Sequence, residues 1–182
     1  RDILAGVGTA ALASTAGCLG VIGMDEHEAT PGGVDPAVRE QAGYEQTDIE
    51  ELTVRETVEQ AGISEDITVQ NYLTRHEKSI ELGPAGSVPA ATFAVLTSPQ
   101  ISIAGRGFNP IREMSARELV ELIESNLEQI NNVEHVENRE TTILGEKTVE
   151  GIFEAETQVQ GVTIDLRLHV TESVETGSDH LV

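Results

Sequence analysis

The chain has 182 residues, with 11 Lys+Arg against 32 Asp+Glu, a formal charge of −21 at pH 7 and an aromatic content of 3%. A surface of that sign repels phosphates at every approach, which excludes nucleic acid as a partner. Its length, less a leader, suits one domain with a single core.

Arg1-Asp2 precedes an uncharged run from Ile3 to Gly17 made of Ile, Leu, Val, Ala, Gly, Ser and Thr. That is the layout of an export signal over residues 1–17. The run is shorter than the ~20 apolar residues a bilayer span requires, and Gly and Thr dilute it. Cys18, the one cysteine, follows Ala16-Gly17, where small residues let a peptidase close on the backbone and leave a thiol to carry a lipid. Residues 18–34, rich in glycine and acidic side chains, then read as a flexible tether, and 35–182 as the globular part.

Asp35-Pro36 opens a short helix, the Asp capping free amides and the Pro tolerated at the first position, and Gly43 ends it. Leu52, Val54 and Val58 share a parity, as do Ile67, Val69 and Leu73 after Ala61-Gly62, so two half-buried strands are expected. Ile80 and Leu82 extend the second or begin a third. Beyond the break at 83–89, Phe93 and Val95, then Pro99, then Ile101 and Ile103 indicate an edge strand or two short strands joined by a bend. Gly105-Arg106-Gly107 could bring an arginine to an anion, but without a Lys-Ser/Thr ending it reads as a turn before a helix.

Ser115-Ala116-Arg117-Glu118 is a capping box, with Met114 and Leu119 placed as a hydrophobic staple. Leu119, Leu122, Ile123, Leu127 and Ile130 form one stripe, giving an amphipathic helix that ends near Asn131-Asn132 and packs on a sheet. A strand over Val136 to Leu144, turned by Gly145, precedes a hairpin. In its first arm Val149, Phe153, Ala155, Thr157 and Val159 alternate; in its second, after Gln160-Gly161, Val162, Ile164, Leu166, Leu168 and Val170 do so. Glu150, Glu154, Glu156, Asp165, Arg167 and His169 are expected to face outwards. Ser173 to Val182 holds a turn and the start of a further strand. The fold class is therefore α+β, a mainly antiparallel sheet covered by one long amphipathic helix.

Chemistry is sparsely signalled. His27, His76, His135, His169 and His180 are scattered, no catalytic motif or cofactor fingerprint is present, and Cys18 is the one residue assigned a role, lipid attachment. The alternative is a metal-dependent enzyme or metal-binding protein, in which His169 and His180 meet across adjacent strands with Glu172 or Asp179.

The segment through Cys18 resembles a lipobox of the haloarchaeal kind, with Thr15 where Leu is usual, and Arg1-Asp2-Ile3-Leu4 is similar to the end of a twin-arginine motif. The acidic, lysine-poor, Trp-free composition is similar to that of proteins adapted to near-saturating salt. Gly43-Tyr44-Glu45, Ala61-Gly62-Ile63, Phe108-Asn109-Pro110 and Leu168-His169-Val170 to Asp179-His180 resemble an uncharacterised domain of haloarchaeal secreted lipoproteins. The order of elements also looks, more distantly, like the PsbP-type α/β sandwich, whose closing strand and helix would lie beyond Val182. These resemblances imply a lipid-anchored structural or binding module on the outer face of the cell membrane, with a surface protein as its possible partner.

Overall fold

Runs that alternate in the sequence form strands, and strands make up most of the described residues. The computed structural model describes residues 25–182 apart from 61–62, 82, 84–85, 104–105, 127–129 and 160. The export run and Cys18 lie outside the described residues. Strands β1 (Asp25–Glu28), β2 (Glu45–Gln60), β3 (Ile63–Glu81), β4 (Ser87–Pro99), β5 (Ile101–Ile103) and β6 (Arg106–Phe108) come first, with helix α1 (Pro36–Ala42) between β1 and β2. After a 3-10 turn (Pro110–Glu113) and α2 (Ala116–Asn126) come β7 (Ile130–Ile143), β8 (Glu146–Val159), β9 (Val162–Thr171), β10 (Val174–Thr176) and β11 (Asp179–Leu181).

The α+β reading is thereby corrected: the chain is mostly β, and among the described residues no long amphipathic helix covers a sheet. Helix α2 has 11 residues and stops at Asn126 rather than near Asn131-Asn132. Ile130 and Asn131 are instead in the β7 ladder, opposite Thr157 and Glu156. Hydrogen bonding to β8 thus overrides a helical period that continued past the end of the helix.

In the six-stranded sheet β3 is central. One edge pairs with β2 from Ile63 to Glu77; the other carries β4 from Tyr72 to Glu81 and, further along, β1 in parallel from Ile67 to Gln70. Strand β11 adds to β4 and β10 to β11. Part of the expected tether therefore belongs to the fold. Asp25–Glu28 is a strand, and the next residues lie across the sheet, with Ala29 N donating to Gln70 O (3.0 Å) and Thr30 N to Asp179 Oδ2 (3.1 Å). Ala29 is buried because its methyl is small enough to lie against the strands. The bend at Pro99 separates β4 from β5, which pairs with β6 in a small hairpin.

The second sheet is the meander β7-β8-β9. The hairpin register sets Phe153 opposite Leu168, Ala155 opposite Leu166 and Val159 opposite Val162, as the alternation required. Helix α2 packs on the Phe153 face. Ala116, Leu119, Val120, Ile111, Phe153 and Val170 make the main buried cluster, joined by Leu96 and Val182 from the first sheet. Gly151 permits this approach: a Cβ there would lie 2.7 Å from both Ala116 Cβ and Phe153 Cε2.

Candidate functional site

Period two places Glu150 on the face of β8 opposite Phe153, and the sequence suggested that it would point into water. It is buried instead, its side chain 9% exposed, because partners on both flanking strands reach it. Arg139, directly opposite on β7, grips the carboxylate with two donors, Nε to Oε2 and Nη2 to Oε1 (3.1 Å). From β9, His169 Nδ1 lies 2.7 Å from Oε1. An ionised carboxylate only accepts, so Nδ1 carries the proton of this bond, and the side chain is half-exposed. Hydrogen bonding from Arg139 holds the Glu150 carboxyl below its ordinary range, with help from His169 and against burial. The same carboxylate raises the Arg139 guanidinium further.

His180 occupies a different environment. It sits on β11 between Ser98 of β4 and Glu175 of β10 and is 3% exposed. Burial pushes its imidazole below the ordinary value; Glu175 and Asp179 oppose that shift, and Arg112 adds to it. Arg112 Nε stands 3.7 Å from Glu175 Oε1. Beneath, Asn109 donates to Ser98 Oγ (3.0 Å) and Pro99 O (2.8 Å) while its Oδ1 accepts from Ile111 N (2.9 Å). Asn109 is thus a buried brace that starts the 3-10 turn. Arg106 and Gly107 lie in β6, and Gly105 falls outside the described residues.

The structure therefore does not join the two histidines proposed for a metal. His169 is in the three-stranded sheet and His180 in the six-stranded one. Glu172 uses its backbone, its N donating to Val149 O (2.8 Å) and its O accepting from Thr148 Oγ1 (2.9 Å). Asp179 is turned to Thr30 N. Among the described residues no group of three or more His, Cys, Asp or Glu side chains is placed to hold a metal ion.

The Arg139-Glu150-His169 network was missed, although a signal for it existed. With Leu144-Gly145 as a two-residue turn, Ile143 pairs with Glu146, and equal counting outwards brings Arg139 opposite Glu150. What the network does chemically is to join three strands and orient one imidazole through its Nδ1. Among the described residues no nucleophile is bonded to its Nε2.

Residues 31–182 match a family described as a domain of unknown function. The chain belongs to the DUF6517 family. The matched range takes in both α-helices and every described strand of this DUF6517 protein except β1. No curated protein and no solved structure matches it.

Proposed function

We propose that this DUF6517 chain is a lipid-anchored, extracytoplasmic structural or binding module of a salt-adapted archaeon, held at the outer face of the membrane through Cys18. The observation that carries the reading is the uncharged run closing on Ala16-Gly17-Cys18, with only residues 19–24 between that cysteine and β1. At ~3.5 Å per residue a fully extended chain covers roughly 25 Å from Cys18 to Asp25, so the sheet would stand close to the surface that holds the lipid. A twin-arginine route of export and a protein partner on the cell surface belong to the same reading.

Two further features support it. No helix among the described residues is long and apolar enough to cross a membrane, so attachment through the described part would need another device. The open edges of β2, β7 and β9 carry charged side chains, as strands facing solvent do when they must not pair indiscriminately. The metal-dependent alternative is favoured by no observation, since His169 and His180 lie in separate sheets.

The test is fractionation of the protein expressed in a host that processes its signal, together with intact mass. The parent should be found with the membrane, begin at Cys18 and weigh more than the polypeptide by a lipid. Cys18→Ser should move to the soluble fraction. A Cys18→Ser protein as firmly membrane-bound as the parent would sink the proposal.

A further inference from the structure

Tyr72, Thr74 and His76 share one face of β3, with Thr97, Val95 and Phe93 opposite them on β4. The residues after β1 cross that face as a strap. Gly32 touches down so closely that a Cβ would meet Thr97 Cγ2 at 2.7 Å, whereas a Cβ at Gly33 would be 3.8 Å from both His76 Nε2 and Thr74 Cγ2. Beneath Gly33 two polar side chains are sealed, His76 at 0% and Thr74 at 1% exposure. Both ring nitrogens of His76 and the Thr74 hydroxyl lack a hydrogen-bond partner among the described residues. Their cross-strand neighbours supply no charge: Gln46 and Phe93 flank His76, Ile49 and Val95 flank Thr74.

Two neighbouring orphaned groups under one segment are costly in a finished core and useful in a site, because each buried unpaired group forfeits the hydrogen bond that water gave it. The strap over them is lightly held. Ala29 N, Thr30 N and the Tyr72 hydroxyl, which donates to Glu28 Oε1 (2.6 Å), fix its start, and Pro31 to Val34 make no hydrogen bond among the described residues. We propose that Ala29–Val34 is the lid of a ligand site. His76 Nε2 and Thr74 Oγ1 are its recognition groups, and its ligand is a small uncharged solute carrying a donor and an acceptor side by side, as a primary amide does. A charged ligand would lose its hydration with no counter-charge to receive it. The proposal gives the binding reading a ligand class, but it does not depend on the anchor at Cys18 and is tested on purified protein.

The experiment maps carbethoxylation of His76 in the folded full chain while following amide exchange, with acetamide as the probe ligand. His76 should react through local opening, faster than the Phe153 amide exchanges. Tyr72→Phe, which frees the strap from Glu28, should speed the reaction about tenfold without altering exchange at Phe153. Acetamide should slow the reaction, and Thr74→Val should remove most of that protection. Reaction of His76 only at the rate of Phe153 exchange would overturn the lid. Indifference to acetamide in both the parent and Tyr72→Phe would overturn the ligand.

Discussion

Glu150 shows how a single carboxylate can be buried without loss. Its two oxygens are taken by Arg139 and His169, and both partners stay partly in water, so only the acceptor is desolvated. Glu150→Gln keeps the shape and removes the charge, and it turns one of the two acceptor oxygens into an NH2 donor that faces the donors of Arg139 or His169. A loss of about 1–3 kcal/mol is expected, visible as a fall of several degrees in Tm. The pH dependence has a definite sign. Because the folded carboxyl titrates below its ordinary value, its stabilisation is complete above about pH 4.3 and is lost as pH falls through the lowered folded value. His180 acts in a higher window: its imidazole is also lowered, so stability is full above about pH 6.5 and declines as pH falls from there through the folded value. Thermal unfolding across acid pH should show both declines in the parent, and in Glu150→Gln the upper one unchanged and the lower one reduced, since Glu118 still contributes to it. An unchanged lower limb in the variant would show that Glu150 is not its source.

Among the elements, α2 is specified by its first turn. Ser115 N and Oγ both donate to Glu118 Oε2, at 2.8 and 2.7 Å, and Glu118 N returns a longer bond to Ser115 Oγ at 3.4 Å. Those bonds hold the Glu118 carboxyl below its usual range. Ser115→Ala should cost ~1 kcal/mol, a drop of about 2–4 °C in Tm, and Ser115→Asp should restore most of it. No change in Ser115→Ala would mean that packing against Phe153 alone holds the helix. This start was legible in the sequence, as were the Asp35 and Gly43 caps of α1 and the β8-β9 register, because each is decided by neighbours in the chain. Where α2 ends was not legible: Asn131 answers to Glu156, 25 positions on, and no local period reports that partner. The same holds for β1, whose acidic Asp25-Glu26-His27-Glu28 looks like a linker until β3 supplies the ladder. Alternation also tells which face a residue takes, but not what covers that face, so Glu150 was assigned to water while Arg139 and His169 lay hidden in the register. The lid site rests on two side chains, His76 and Thr74, within an otherwise ordinary strand, and only the crossing of Gly32 and Gly33 above them makes them notable.

At the scale of the whole molecule the charge of −21 meets the sheet geometry directly. Glu45 faces Glu77 across β2 and β3, Glu134 faces Glu154 across β7 and β8, and Glu156 faces Asp165 across β8 and β9. Carboxylates opposite one another in a ladder destabilise it, and the nearby pair Arg167-Glu154, 3.9 Å apart and well exposed, offsets little of this. In dilute buffer these repulsions extend over about 10 Å; at molar salt they are confined to about 3 Å. The fold should therefore gain stability steeply with sodium chloride and begin to unfold on dialysis to low ionic strength. A variant separates this from a general effect of salt on burial, because Asp165→Asn removes one of the opposed pairs without touching the core. It should raise Tm by about 0.5–4 °C at about 0.1 M salt, since like charges opposite in a sheet cost roughly 0.2–1 kcal/mol, and change little at about 3 M. If the parent were equally stable at both salt concentrations, the carboxylates would have to be balanced within the fold. If Asp165→Asn shifted Tm equally at both, the salt dependence would belong to apolar burial and not to the facing carboxylates.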